Sequence, residues 1–244
     1  MPIICNARVT NASLTGAQRY TLSILNHIPG IERISPSKKY SSGIKGHLWE
    51  QFVMPRLIGN KLLWSPSNSG PVTRSRQVLT VHDVVSIDHP EWFNKTYVKW
   101  YNVMLPLVCK KAAHIITISE FTKHRLIDLF NIPESKISLV YNGGGERLAG
   151  DTASQKTYEL PFKRYILSVG SLEIRKNIPF LLESWNGILS QLPEDVGLII
   201  VGGKGNAKIF QDANIHQIPD RVHFTGHIPD DFVTYLYTNA LAFV

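Results

Sequence analysis

Three short stretches set polar or charged side chains beside glycine at places where an α/β fold meets its ligands. The first is Leu14-Thr15-Gly16-Ala17-Gln18-Arg19-Tyr20. A glycine loop between a strand and a helix presents backbone N–H groups and the positive end of the helix dipole to a phosphate. The missing Cβ lets the ligand come close. The loop is neither GxGxxG nor GxxxxGK followed by Ser or Thr, so a plain βα turn is the competing reading. The second stretch, Val78-Leu79-Thr80-Val81-His82-Asp83-Val84-Val85, puts His82 and Asp83 at the C-terminal edge of a strand, where open sheets bind ligands. A structural histidine capping a turn competes with that reading. A metal site from His82, Asp83, Asp88 and His89 matches no established ligand spacing. The third stretch, Val169-Gly170-Ser171-Leu172-Glu173-Ile174-Arg175-Lys176-Asn177, ends a strand at glycine and opens the next helix with two cations. Cations there oppose the helix dipole, so an anion such as a diphosphate would offset their cost; a solvated basic turn is the alternative.

The elements that would position these residues follow from hydrophobic patterning. Short β-branched apolar runs alternate with longer amphipathic stretches, the βαβ signature of a parallel sheet. The pattern predicts strands at 3–5, 62–64, 78–81, 114–118 and 137–141, and helices at 18–27, 48–57, 96–113 and 120–130. Pro106 predicts a kink or break in the third helix, and Ser119 is a natural N-cap for the fourth. Residues 29–46, rich in Pro, Ser, Gly and Lys, read as loop. No period holds over 143–163, which reads as an interdomain linker. Alternation then restarts, with strands at 165–169, 198–201, 221–224 and 240–244. Helices are predicted at 177–192, from the glycines at 202–205 to about 216, and at 230–238. A last strand with no helix after it leaves sheet surface uncovered, so the expectation is a fragment or a naturally truncated product.

A chain of 244 residues fits one large or two modest α/β domains. It has no uncharged apolar run of about 18 residues to span a membrane, and its first residues lack the basic-then-apolar pattern of a secretory signal. Cys5 and Cys109 read as reduced core thiols of a cytoplasmic protein. Charge is uneven: residues 1–150 carry 18 Lys and Arg against 9 Asp and Glu, whereas 151–244 carry 8 against 10. A basic first half suits an anionic partner, whether nucleic acid, an acidic membrane or a lipid pyrophosphate; scattered solubilising charge is the plainer reading. No RNP, zinc-finger or recognition-helix pattern accompanies the charge, which argues against nucleic acid. The stretch 96–113, with Lys95, Lys99, Lys110 and Lys111 beside Trp100, Tyr101 and Met104, reads either as a core helix or as one touching a membrane surface. The chain has no Asp-x-Asp triplet, no Gly-x-Ser-x-Gly elbow and no dinucleotide fingerprint.

Taken in order, TGAQRY, HLWEQFVMP, LLWSPSNSGP, VLTVHDVVSIDHPEWF, HIITISEFTKHRLI, ISLVYNGG, ILSVGSLEIRKNIPFLLESW, LIIVGG and VHFTGHIPDDFVTYLYTNALAFV resemble glycosyltransferase family 4. The likeness is to its bacterial, mannosyltransferase-like branch of surface-polysaccharide enzymes. The resemblance implies an α/β GT-B fold, two Rossmann-like parallel-sheet domains facing a cleft. Residues 1–145 would be the acceptor-side domain, 146–163 the linker and 164–244 an incomplete nucleotide-sugar domain. It also implies retention of anomeric configuration, with no metal and no cofactor beyond the nucleotide-diphosphate sugar. His82 would hydrogen-bond the transferred sugar or the acceptor, with Asp83 orienting it. Lys176, helped by Arg175, would neutralise the leaving diphosphate. Gly16, Gly170, Ser171, Gly202, Gly203, Thr225 and Gly226 are expected around the donor, and Thr15, Arg19, Asn68 and Ser119 around the acceptor. Two departures stand out. Ser171 occupies the position where many relatives carry Arg, and the family's Glu-x7-Glu carboxylates would begin only after Val244. The stretch between Gly30 and Gly46 also looks short for a complete βαβ unit.

The resulting expectation is a hexosyltransferase moving sugar from a nucleotide-diphosphate donor, GDP-mannose-like, to a lipid-linked saccharide in polysaccharide assembly. It would be cytoplasmic or peripheral on the inner membrane face, and impaired in this form. A non-catalytic acceptor-binding module is the alternative, and a nucleic-acid-binding protein a third.

Overall fold

The computed structural model describes residues 2–11, 16–143, 159–203, 215 and 217–244. The chain divides into two compact units, Met1–Asp88 with Val98–Gly143, and His89–Tyr97 with Gly144–Val244.

The first unit is built on a six-stranded sheet in the order β2-β1-β3-β4-β5-β6. Its strands are β1 (Ile3–Asn6), β2 (Ile31–Ile34), β3 (Leu62–Ser65), β4 (Gln77–Val81), β5 (His114–Thr117) and β6 (Ile137–Leu139). Every neighbouring pair is parallel. Strand side chains alternate between faces, so Ile4 and Leu63 pack with Met54 and Ile58, while Cys5 and Trp64 pack with Leu25 of helix α1 (Gly16–His27). Both cysteines are buried free thiols, and burial pushes each up to about 12. They stay protonated and unreactive.

Three sequence expectations change here. The stretch 29–46 is not all loop, because Ile31–Ile34 forms the edge strand β2 and completes a β1-α1-β2 unit. Its four residues include Glu32 and Arg33, so no apolar run advertises it. The helix expected at 48–57 is longer: α2 (Gly43–Leu48) and α3 (Met54–Ile58) are joined by a π-helical turn at Trp49–Val53. Pro55 explains the turn, since its ring and missing N–H disfavour a regular preceding α-turn. Pro106, by contrast, does not break its helix; α5 (Lys95–Lys111) runs through it. Tyr101, Met104, Leu105, Val108 and Cys109 of α5 are buried, which makes it a core helix. The short α4 (Val85–Asp88) follows β4, and α6 (Glu120–Phe130) follows β5.

The second unit has a four-stranded parallel sheet in the order β10-β7-β8-β9, from β7 (Arg164–Val169), β8 (Val196–Val201), β9 (Val222–Gly226) and β10 (Ala242–Phe243). Strand β8, Val-Gly-Leu-Ile-Ile-Val, is buried throughout, as a central strand covered on both faces must be. On one face α7 (Ile178–Ile188) contributes Ile178, Leu182 and Trp185. On the other, Leu236 of α8 (Asp230–Asn239) joins Tyr165, Leu167, Ile199 and Val201. The helix expected between 202 and 216 and most of the linker fall outside the described residues.

Strand order locates where each sheet can bind. Open α/β sheets bind at the carboxyl ends of strands where the order reverses. That point lies between β1 and β3 in the first unit, and between β7 and β10 in the second.

Candidate functional site

In the first unit the loops leaving β3 and β4 are tied together. Asn68 lies after β3 in the left-handed region (φ 45°), a conformation asparagine tolerates better than most residues. Its Oδ1 accepts the His82 amide at 2.7 Å, and its Nδ2 donates to the Asp83 carbonyl at 3.1 Å. Asn68 thus fixes the backbone on both sides of the His82–Asp83 junction. The His82 ring is oriented independently, because Nε2 lies 2.8 Å from the Pro66 carbonyl. A carbonyl only accepts, so Nε2 carries the proton and Nδ1 keeps its lone pair. Tyr20 of α1 meets the same ring edge-on, with centroids 4.7 Å apart. Burial holds the His82 pKa below the usual imidazole value, against the Pro66 hydrogen bond and the charge of Asp83. The ring is therefore a neutral acceptor at pH 7.

Asp83 acts differently from the expected orienting role. Its carboxylate accepts the Val85 amide at the start of α4, and it reaches the ring through charge. Ser119 is the N-cap of α6, as its type predicted: its Oγ accepts the Thr122 amide at 3.1 Å. The same hydroxyl meets Thr122 Oγ1, which donates to the His82 carbonyl. Ser119 therefore supports the His82 loop from below. Gly16 opens α1 and is exposed, with open space where a Cβ would stand. Arg19 is half-buried in the first turn of α1; Thr15 lies outside the described residues. Of the residues considered for metal, Asp88 is engaged by Arg125 at 2.5 and 3.1 Å, and His89 stacks on Trp92.

Directly below this loop cluster lies a buried charge network that residue types alone did not single out. Glu50, in the π-helical turn, is wholly buried. It takes Asn6 Nδ2 at 2.5 Å, Ser69 Oγ at 2.5 Å and Arg8 Nη2 at 3.2 Å. His47 Nδ1 stands 3.6 Å away, too far for a hydrogen bond. Burial pushes the Glu50 carboxyl up, but the Arg8 charge and its hydrogen-bonding neighbours overcome this and hold it at about 2. The network joins the ends of β1 and β3 at the switch point, and Ser69 adjoins Asn68. One signal was legible: from Arg33 to His82 the sequence has eight Lys and Arg and one acid, Glu50.

In the second unit the ends of three strands meet through glycine. A Cβ on Gly202 (φ +138°) would stand 2.0 Å from the Gly170 carbonyl oxygen. The Gly202 amide donates to the Gly226 carbonyl, the Gly170 amide to Val201, and the Leu172 amide to the Gly203 carbonyl. These groups build the turn itself. Thr225 Oγ1 bonds the Gly226 carbonyl. Ser171 Oγ donates to one oxygen of the buried Glu173 at 2.6 Å, and Arg175 Nε to the other at 2.6 Å. Arg175 is thus ion-paired to Glu173, a partner the sequence reading passed over. Lys176 differs: its aliphatic stem lies along Gly170, with Cγ, Cδ and Cε 3.6–3.7 Å from where a Cβ would stand, and the residue is exposed. Asn177, left-handed at φ 52°, ends the 3-10 turn bearing both cations and starts α7.

Comparison with known proteins divides the chain in the same order. Residues 61–143 match the model described as Glycosyltransferase Family 4, and residues 151–244 that described as Glycosyl transferases group 1. O-antigen chain mannosyltransferase B of Escherichia coli is 27% identical over 185 residues, 71% of this chain and 48% of that protein. O-antigen chain mannosyltransferase RfbU of Salmonella typhimurium is 26% identical over 198 residues, 79% of this chain and 51% of that one. The chain thus spans about half the length of these curated relatives. Among solved structures, WaaG, a glycosyltransferase involved in lipopolysaccharide biosynthesis, aligns with a TM-score of 0.66 at 12% identity, covering 99% of this chain and 73% of that one. Anabaena Alr3699/HepE in complex with UDP and glucose aligns with a TM-score of 0.60 at 16% identity, covering 100% and 73%.

Proposed function

We propose that the chain is a glycosyltransferase of GT-B fold, with a region matching family 4 followed by one matching group 1, and that it transfers a hexose from a nucleotide-diphosphate sugar to a lipid-linked saccharide in cell-surface polysaccharide assembly. The observation that carries this reading is the position of His82 and Lys176. Each stands at the carboxyl end of a parallel sheet, one in each unit, on a loop held by a dedicated polar partner.

In the proposed reaction the bond from the sugar's anomeric carbon to the diphosphate oxygen breaks. A bond from that carbon to an acceptor hydroxyl oxygen forms on the same face, and the hydroxyl proton departs with the diphosphate. Lys176 supplies the charge that steadies the leaving diphosphate, with Arg175 fixed beside it by Glu173. Neutral His82 accepts a hydrogen bond from a sugar hydroxyl through Nδ1. Asp83 shapes the loop. Gly170, Ser171, Gly202, Gly203, Thr225 and Gly226 form the donor-side turn, where the small residues allow close approach. Thr15, Arg19, Asn68 and Ser119 serve the acceptor side, the last two by holding the His82 loop, and Gly16 serves the donor diphosphate. The reaction is proposed to need no metal, because Lys176 takes the place of a cation at the diphosphate.

The mannosyltransferase names of the bacterial relatives favour GDP-mannose as donor, while HepE holds UDP and glucose. The proposed site of action is the cytoplasmic face of the cell membrane, where a lipid pyrophosphate acceptor meets a nucleotide sugar. Among the described residues no helix is long and apolar enough to cross a membrane. Incubating the protein with labelled GDP-mannose or UDP-hexoses and a lipid-linked saccharide tests the reading. Label in the lipid fraction is the expected result. Saccharide binding with no label from any donor would instead mark a binding module.

A further inference from the structure

The loop 66–72, which holds His82, is itself held by a second set of contacts. It runs Pro-Ser-Asn-Ser-Gly-Pro-Val, with no large apolar side chain before Val72 to anchor it. Yet Pro66, Ser69, Gly70 and Pro71 are buried. A buried loop must find partners for its backbone groups. Pro66 and Asn68 spend theirs on His82 and β4: the Pro66 carbonyl accepts the ring, and the Asn68 amide donates to the Thr80 carbonyl at 3.0 Å. Two consecutive residues of the helical segment 43–58 serve the rest. Glu50 accepts Ser69 Oγ at 2.5 Å. Gln51 Nε2 donates to the Gly70 carbonyl at 2.9 Å, and its Oε1 accepts the Val72 amide at 2.9 Å. Gln77 Nε2 donates to the Pro71 carbonyl at 2.8 Å. The packing leaves little slack, since a Cβ on Gly70 would stand 2.7 Å from Gln77 Oε1 and 2.9 Å from Ser65 Oγ.

Consecutive residues of a regular α-helix point about 100° apart, so neighbours seldom reach one short loop. Glu50 and Gln51 reach it from the π-helical turn Trp49–Val53. The wider i→i+5 ring brings neighbouring side chains closer in direction, and such turns recur at functional sites. Pro55 makes the turn accessible; aiming two polar side chains at loop 66–72 is what the turn achieves. The base of this clamp is fixed as well, because Glu50 also takes Asn6 and Arg8 from the end of β1.

We propose that Glu50 and Gln51 are positioning residues for sugar transfer: through Ser69, Gly70 and Val72 they fix the loop that sets the place and tautomer of the His82 ring. The inference rests on the role proposed for His82. Nδ1 accepts a sugar hydroxyl only while the ring proton sits on Nε2, and the Pro66 carbonyl keeps it there. A loop released from the clamp frees that proton to move to Nδ1 and lets the ring shift, and a displacement of about 1 Å costs about a hundredfold in rate.

Nitrogen NMR of protein labelled with 15N-histidine, recorded at alkaline pH, reads the neutral ring directly. It needs no substrate, so failure of the clamp and failure of the transfer reading give different results. The His82 signals are those lost in His82→Ala. In the wild type the Nε2–H form should dominate. Ser69→Ala cuts the link to Glu50 while leaving its pair with Arg8, and Gln51→Leu removes both bonds to the loop. Each should lower the ratio of Nε2–H to Nδ1–H by at least about threefold. Ile58→Val, which thins the cluster with Ile4, Met54 and Leu63 on the same segment, should leave the ratio unchanged. In the transfer assay Gln51→Leu should lower kcat by about tenfold or more, with the KM for the nucleotide sugar within about twofold of wild type. A ratio that stays at the wild-type value in both loop variants, or that Ile58→Val lowers equally, would overturn the proposal, as would an unchanged kcat in Gln51→Leu. A wild type that transfers no sugar counts against the reading of His82, and the ring measurement still decides whether the clamp acts on it.

Discussion

Glu50 and His82 carry the clearest physical commitments at the scale of single residues, and both depend on what surrounds them. A carboxylate with no solvent contact is costly unless it is paired and hydrogen-bonded, and Glu50 meets that condition with Arg8, Asn6 and Ser69. Its folded pKa of about 2 lies below its ordinary value of 4.5. The stabilisation is therefore present in full above that ordinary value and is lost as pH falls through the interval toward 2. Glu50→Gln should lower stability at neutral pH by about 3 kcal/mol, because it leaves Arg8 buried without its countercharge. It should also flatten the acid side of the stability profile. Thermal melts of both proteins from neutral to acid pH check this; parallel profiles would show that Glu50 is not the titrating group. His82 was legible as a ligand-edge residue from its place after a β-branched run. Its neutral state and its tautomer were not, because the first depends on burial and the second on the Pro66 carbonyl, sixteen residues away.

At the scale of elements, the short parallel strands and amphipathic helices were largely readable because both hydrophobic periods are strong. Strand β2 escaped because an edge strand needs few apolar residues, and half of its four are charged. The helix from Gly43 hid behind an apolar pattern that is exposed on one side and locked to a π-helical turn on the other; a period of 3.6 fits neither face. Glycine at the ends of β7, β8 and β9 was recognised as significant, but its role is partly steric. Gly202 is left-handed and packed against the Gly170 carbonyl, and its amide is already spent on Gly226. Gly202→Ala should cost about 1–3 kcal/mol and loosen the turn that carries Lys176. Gly170→Ala, whose Cβ meets the Lys176 stem at 3.6 Å, should cost less. Chemical denaturation of the two variants makes the comparison, and equal losses would contradict this account of the turn.

For the whole molecule, the order of the two sheets explains why chemistry-bearing residues distant in sequence gather at two places. Strand order 2-1-3-4-5-6 puts Asn6, Arg8, Asn68 and Ser69 at one reversal, with His82 just past the end of the next strand. Order 10-7-8-9 puts Gly170 through Lys176 at the other. Sequence resemblance supplied the pairing of these two places in one reaction; composition alone offered only a basic half and a near-neutral half. If Lys176 does the work of a cation at the diphosphate, sugar transfer should continue undiminished in EDTA, and a rate restored only by added Mg²⁺ or Mn²⁺ would assign that work to a metal. The central claim is tested most directly by calorimetric titration of GDP and UDP, with GMP and UMP as controls, into the wild-type protein and Lys176→Ala. The account predicts that one diphosphate binds at least about tenfold more tightly than its monophosphate, and that Lys176→Ala erases this difference while leaving the thermal midpoint unchanged. A diphosphate preference that survives the loss of Lys176 would contradict it.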